Sequence, residues 1–149
     1  IALGEAIVIL DADGSHNPKY ILPMLNLLDQ YDIVIASRYV YGGGTSDYFL
    51  RMLLSRLFNK IARFLLHIKV NDNMSGFIVA KREVFEKLSL KPLGYKFGLE
   101  LLVKSKNKFS ITEYPVHFEK RKMGVSKTGF GQGIKTLTFI LKLFIEDLL

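Results

Sequence analysis

The sequence has no cysteine at all. Disulfides and thiolate metal sites are thereby excluded. Histidine is scarce, and His16, His67 and His117 are scattered without the spacing of a zinc site. A metal bound by this chain would therefore be a hard cation held by oxygen. Acidic residues are in deficit, 14 against 21 Lys and Arg, for a formal net charge of +7. No apolar run approaches the roughly 20 residues needed to cross a bilayer, and no segment has the layout of a signal peptide. An initiator methionine is also lacking. Ile1 to Glu5 reads as the end of a helix and a turn leading into a buried strand, so the chain is expected to be cut from something longer.

What is present fits one globular domain. The 149 residues are 49% hydrophobic and 23% charged, a balance that can build a core and is not that of a disordered chain. The positive charge is uneven: Lys104 to Lys127 carries seven Lys or Arg against two Glu, or +5. Such a patch suits phosphates on a nucleotide, a lipid headgroup or a nucleic acid, and a solvated basic face explains it equally well. No nucleic-acid-binding motif accompanies it, and no stacking aromatics interleave the basic run.

Hydrophobic patterning sets out the elements. Ala6 to Leu10 is an unbroken aliphatic run, as expected of a strand covered on both faces. DADGSHNP forces a loop, Pro18 suits a helix start, and Tyr20 to Gln30 has helical apolar spacing. Asp32 to Ser37 reads as a second buried strand, which makes the opening a parallel unit with a helical crossover. Gly42-Gly43-Gly44 marks a flexible loop before a long helical pattern from Tyr48 to Leu66, whose Phe49, Phe58 and Phe64 are assigned to core packing. Asn71 to Phe77 is turn-rich and leads into the apolar stretch Phe77 to Ala80. Short helices are expected over Arg82 to Leu88 and Phe97 to Lys104. Ile111 to Phe118 alternates like a strand, with Pro115 pointing to a sheet edge. A basic, glycine-rich loop from Arg121 to Gly133 precedes an apolar helix from Ile134 to Leu149.

The sharpest chemical signal is Asp11-Ala12-Asp13 directly after the first strand. Ligands of open parallel sheets gather beyond the carboxyl ends of strands. Two carboxylates held one residue apart there repel unless a cation such as Mg²⁺ or Mn²⁺ relieves them, although a solvated turn also accounts for an isolated D-x-D. Arg38 ends the second strand, where a guanidinium can grip phosphate oxygens with two parallel hydrogen bonds. Arg121 and Lys127 lie six apart across a loop with Gly124 and Ser126, and both could reach one pyrophosphate. Asp72, Ser75 and Gly76 read either as a structural turn or as contacts to a bound sugar or phosphate. Glu100 is taken as a surface residue, and His16 as part of a cap or loop.

The blocks VILDADGSHNPKY, DIVIASRYVYGGG, NDNMSGF, GYKFGLELL and EYPVHFEKRKMGVSK, in that order, resemble those of dolichyl-phosphate mannosyltransferases and their polyprenyl-phosphate relatives. These enzymes belong to glycosyltransferase family 2. The resemblance covers nearly all of residues 4 to 133. It implies a nucleotide-diphospho-sugar transferase α/β sandwich, Rossmann-like, with a mostly parallel sheet that here lacks its N-terminal strands. It also implies that Asp11 and Asp13 hold Mg²⁺ or Mn²⁺ on the donor diphosphate, with Ser15 as a further polar ligand. Ala12 would line the donor, Arg38 would bind phosphate, and Arg51 would assist the lipid phosphate. Arg121 and Lys127 would match the basic pair that closes over the donor, leaving Asp13, Arg38 and Arg121 as the residues acting on the reaction. Gly14 departs from the bulky apolar residue usual at its position, which implies a more mobile loop.

The expected function is transfer of a sugar, with inversion, from a nucleotide to dolichyl or polyprenyl phosphate. The donor implied is GDP-mannose, with UDP-glucose as the alternative. Residues 1–133 would form the catalytic part and residues 134–149 an apolar helix. That helix is too short to span a bilayer; it either lies in the membrane interface with Lys135 and Lys142 towards headgroups or packs on the domain's own core. The implied location is peripheral, on the cytosolic face of a membrane, with no nucleic-acid partner. The alternative of another class is a non-catalytic piece or a basic membrane-surface module. By itself the chain is expected to bind nucleotide weakly and not to turn over.

Overall fold

The computed structural model describes residues 4–90, 97–121 and 130–148. Its main sheet has four strands, β1 (Ala6–Ile9), β2 (Ile33–Ser37), β4 (Ile78–Lys81) and β5 (Ile111–Pro115), in the spatial order β1-β4-β2-β5. A two-stranded ribbon pairs β3 (Gly44–Thr45) with β6 (His117–Phe118) in parallel. The helices are α1 (Ile21–Asn26), α2 (Phe49–Leu66), α3 (Arg82–Lys87), α4 (Phe97–Ser105) and α5 (Phe130–Leu148).

β1 and β2 run the same way, as the strand-helix-strand pattern requires, but they are not neighbours. β4 lies between them and runs against both, while β5 pairs with β2 in parallel. The sheet is therefore mixed: three described strands share a direction and the fourth is inserted against them. The expected helix over Tyr20 to Gln30 is α1 flanked by tighter 3-10 turns at Pro18–Tyr20 and Leu27–Asp29. Asn17 starts this segment by accepting the Lys19 amide.

Side-chain alternation divides the core between the two faces of the sheet. Ile33 and Ile35 of β2 and Ile78 and Ala80 of β4 meet Ala62 and Leu66 of α2, Leu99, Leu101 and Leu102 of α4, and Ile140 and Leu143 of α5. Val34, Ala36, Phe77 and Val79 point the other way, onto Met24, Leu28, Val116 and Phe118. β2 is buried along its whole length, so its unbroken aliphatic run has packing on both sides.

Four expectations change here. Phe49 and Phe64 are 73% and 80% exposed, so of the three α2 phenylalanines only Phe58 packs on the core. Glu100 is 1% exposed, because Lys104 one turn later supplies its counter-charge at 2.7 Å. The triple glycine serves close packing, since a Cβ on Gly43 would stand 2.5 Å from the Ser37 carbonyl oxygen. α5 also begins earlier than expected, at Phe130, and takes Gly131 and Gly133 into its first turns.

One exposed knot ties the sheet together at the start of β2. Asp32 accepts from Lys81 Nζ at the end of β4, and from the Ser110 amide and hydroxyl just before β5. Burial raises the Asp32 carboxyl, but the Lys81 and Ser110 hydrogen bonds outweigh it and bring it down to about 2. A carboxyl depressed on folding contributes stability above its unfolded value of 3.8 and loses it as pH falls through about 2. Asp32→Asn should therefore lower unfolding stability at neutral pH by about 1–2 kcal/mol. Denaturant titrations should show the gap from wild type closing between pH 4 and pH 2. A gap that persists unchanged at the acid end would refute the assignment.

Candidate active site

The site begins where β1 ends. Asp11 and Ala12 are exposed, and the chain then turns back through Gly14, whose φ of 82° lies in the left-handed region that glycine adopts without strain. Glycine is thus demanded by the turn, and the loop is held at several points. The Asp13 Oδ1 accepts the Ser15 amide at 3.0 Å and the Ser15 hydroxyl at 2.5 Å. The Asp11 amide donates to His16 Nδ1 at 2.9 Å, and the Ser15 carbonyl accepts the Glu119 amide. His16 is buried, with ring centroids 5.3 Å from Phe77 and 4.4 Å from Phe118. Burial lowers its pKa against the opposing pull of Asp11 and Asp13, so the ring is neutral, with its proton on Nε2.

Arg121, just beyond β6, reaches back to this loop and places Nε 2.8 Å from Asp13 Oδ2. Burial raises the Asp13 carboxyl, but the Ser15 bonds and then the Arg121 charge bring it below the usual aspartate value. Asp13 is therefore ionised, with both oxygens engaged.

Arg38 leaves the end of β2 and is nearly buried. Its Nε and Nη2 donate at 2.8 Å each to Asp72 Oδ2 and Oδ1, and its own amide donates to Oδ2 at 3.0 Å. The fork expected to grip a phosphate thus grips a carboxylate of the chain itself. Asp72 is fully buried, and the Asp72 and Asn71 amides both donate to Glu113 on β5. The guanidinium of Arg38 also lies 5.1 Å from the Phe118 ring. Arg51, in the first turn of α2, pairs with Asp47 at 3.0 Å and remains partly exposed.

Many of these residues, though not Asp13 or Asp72, line a cavity of about 760 Å³. Asp11, Ser15, His16, Arg38, Arg51 and Arg121 form its polar wall. α2 and α5 add the apolar Leu54, Phe58, Ile134 and Leu137 to the lining, together with Ser55, Gln132 and Thr136. A smaller cavity of about 130 Å³ shares Asp11, Met74 and Gly76 with it and is also lined by Asn73 and Ser75. Of the residues singled out from sequence, Lys127 lies outside the described residues. The pair Arg38–Asp72, the support from Glu113 and the aromatic bed of His16 were not anticipated. Partners 34 and 41 residues apart leave no periodic signal.

Asp72 and Arg38 should be worth far more together than apart. Asp72→Asn removes the counter-charge of a buried guanidinium and should cost about 3–5 kcal/mol in denaturant unfolding, whereas the double change Arg38→Met/Asp72→Asn should recover part of that loss. Additive losses would show that the two groups are not coupled.

Comparisons with known proteins agree with this geometry. The profile of "Glycosyl transferase family 2" matches residues 1–89. The chain is 37% identical over 141 residues to the polyprenol monophosphomannose synthase of Mycolicibacterium smegmatis, covering 91% of this chain and 53% of that protein. It is 36% identical over 130 residues to the dolichol-phosphate mannosyltransferase of Pyrococcus furiosus, covering 85% of this chain and 37% of that one. The chain thus spans about half or less of the length of these relatives. Among solved structures, it is similar to glucosyl-3-phosphoglycerate synthase of Mycobacterium tuberculosis, with a TM-score of 0.66 and 16% identity over 98% of this chain and 50% of that one. A complex of that synthase with Mn²⁺, UDP-glucose and phosphoglyceric acid gives a TM-score of 0.67 at 17% identity, over 96% of this chain and 50% of that one. Those likenesses establish a shared fold, and the family profile, which matches more than half of the chain, establishes that this chain belongs to glycosyltransferase family 2.

Proposed function

We propose that the chain carries the acceptor-side and metal-side half of a metal-dependent transferase that moves a hexose from a nucleotide to a polyprenyl phosphate. GDP-mannose is the proposed donor, on the sequence resemblance, and dolichyl or polyprenyl phosphate the acceptor; the names of the two similar proteins carry the mannose and the polyprenol or dolichol phosphate but no nucleotide. The observation that carries this reading is the mixed lining of the large cavity, in which Asp11, Arg38, Arg51 and Arg121 occur together with Leu54, Phe58, Ile134 and Leu137 of α2 and α5. A phosphate joined to an apolar tail matches such a space, whereas two hydrophilic substrates would leave the Leu54–Leu137 wall unmatched.

The residues present fit a hard divalent cation. Among the described residues, no three His, Cys, Asp or Glu side chains are grouped to enclose a metal. Asp11 and Asp13 would supply two carboxylates and Ser15 a hydroxyl, so diphosphate and water oxygens would complete the set, as suits Mg²⁺ or Mn²⁺. Bound there, the cation would neutralise charge on the departing nucleotide diphosphate. Arg121 would hold a phosphate of the donor, with Lys127 as the second cation of that clamp. Arg51 would hold the acceptor phosphate beside Arg38, which presents positive charge while Asp72 fixes its orientation. A phosphate acceptor is already anionic at neutral pH, so the chain needs no general base, and neutral His16 serves to hold the Asp11 backbone.

The outer faces of α2 and α5 support a membrane-surface location. No helix among the described residues is long and apolar enough to cross a bilayer. Yet Leu50, Leu53 and Leu57 of α2, with Leu141 and Ile145 of α5, are exposed beside Lys60, Lys135 and Lys142. Apolar residues flanked by lysines suit an anionic membrane surface.

Three measurements test this reading. With the full-length protein and a short polyprenyl phosphate, a screen of nucleotide-sugars should yield a glycosyl-phospholipid with GDP-mannose and divalent metal. Asp11→Ala and Asp13→Ala should each weaken metal-dependent donor binding by at least about tenfold in calorimetry, or about 1.4 kcal/mol. Arg121→Lys should recover only part of an Arg121→Ala loss, since a point charge does not replace a planar fork. Absence of product from every donor, or donor affinity indifferent to metal, would reject the proposal. In flotation assays, Leu53→Glu/Leu141→Glu should reduce binding to anionic vesicles several-fold. Unchanged flotation would reject the membrane surface alone.

A further inference from the structure

The Asp13 carboxylate already meets a cation that belongs to the chain. Arg121 Nε stands 2.8 Å from its Oδ2, while Ser15 engages Oδ1 through hydroxyl and amide. Asp11 is placed differently: it is exposed, and its carboxylate oxygens are 3.5 Å from where a Gly76 Cβ would stand. Arg121 lines the large cavity as well. One guanidinium therefore touches both a proposed metal ligand and the space proposed for an anion. A divalent ion and a guanidinium repel each other, so both cannot be held against the same carboxylate oxygen.

We propose that Arg121 is the resident counter-ion of Asp13 and competes with the divalent cation for it, so that cation uptake and diphosphate binding are coupled through release of this pair. The inference rests on the reading of Asp11 and Asp13 as metal ligands. A diphosphate in the cavity offers Arg121 a more highly charged partner that its planar fork fits, and Asp13 is then free for the cation. Because Arg121 is about one-third exposed, the pair is weak enough to exchange. Coupling of this kind is reciprocal: diphosphate tightens the cation and the cation tightens diphosphate. Until both arrive, the guanidinium relieves the repulsion between two neighbouring carboxylates.

The test uses Mn²⁺ alone as probe, with free Mn²⁺ measured by electron paramagnetic resonance and folding checked by circular dichroism. Arg121→Met should bind Mn²⁺ about three- to tenfold more tightly than wild type, the range expected from losing a partly exposed competing charge. The same variant should bind GDP in the presence of Mn²⁺ at least about tenfold more weakly, so the two effects have opposite signs. Arg121→Lys, which keeps the charge, should stay near wild type for Mn²⁺, and Asp13→Asn/Arg121→Met should lose the gain. Equal Mn²⁺ affinity in wild type and Arg121→Met, with Asp13→Asn weaker than both, would overturn the competition and leave the metal reading in place. GDP affinity unchanged in Arg121→Met would overturn the coupling. Mn²⁺ uptake by none of the proteins, or equal uptake by Asp13→Asn, would overturn the metal reading and the competition with it.

Discussion

A carboxylate with no access to water must be compensated where it stands, because a buried uncompensated charge costs several kcal/mol. Asp72 is such a group, and its compensation organises the molecule around the large cavity. Arg38 supplies three donors to it, two from the guanidinium and one from the backbone. The turn that carries Asp72 is held in its own right, since Glu113 on β5 accepts the Asn71 and Asp72 amides. Asn59 of α2 closes the circuit, accepting the Met74 amide and receiving the Asn73 side chain on its carbonyl. The end of β2, the middle of β5, α2 and the 71–76 turn are thereby joined by polar bonds where aliphatic packing gives way to the site.

That fixed frame explains how charged groups can be arranged against an aromatic bed. Phe77 and Phe118 carry the His16 ring, and Phe118 also lies under Arg38. Large buried rings lower the effective dielectric, which strengthens every charge interaction across the cavity mouth. They also keep His16 neutral. With Nδ1 accepting the Asp11 amide, the ring positions the first aspartate without adding positive charge beside a proposed cation. The Asp11–His16 bond thus does by geometry what a charged residue would do at the expense of repulsion.

The fold was legible in the sequence wherever a local pattern dictated it. The aliphatic runs at Ala6–Ile9 and Ile33–Ser37 are both strands, the second buried along its length and the first only half-buried where full cover was expected, and the helical spacing after Tyr48 is α2. What local pattern cannot convey is neighbourhood. Nothing in β1 or β2 announces that β4, arriving more than 40 residues later, will separate them. The aspartate pair and the basic residues were legible as chemistry, but their occupation was not. Arg38 and Asp72 look like a phosphate ligand and a turn residue until the backbone brings them to 2.8 Å. Glu100 was misread because a buried glutamate and a surface one look alike in sequence, and only its packing beside Lys104 separates them. Phe49 and Phe64 were misread for the opposite reason: hydrophobicity predicts burial only where another surface is available to cover it.

That last point bears on what the cavity can accept. α5 has two apolar stripes: Ile140 and Leu143 face the core, while Ile134, Leu137, Leu141, Ile145 and Leu148 are exposed. Leu137 belongs both to the exposed stripe and to the cavity wall, and so does Leu54 on α2. The apolar lining is therefore continuous with the exposed face, with no polar rim between them at these two residues. A hydrocarbon-tailed phosphate, on the proposed reading, can move from a membrane surface to the Arg51 end without its tail crossing water. Such a path orients the acceptor by itself, because turning the molecule round would bury its phosphate against leucines and expose its tail.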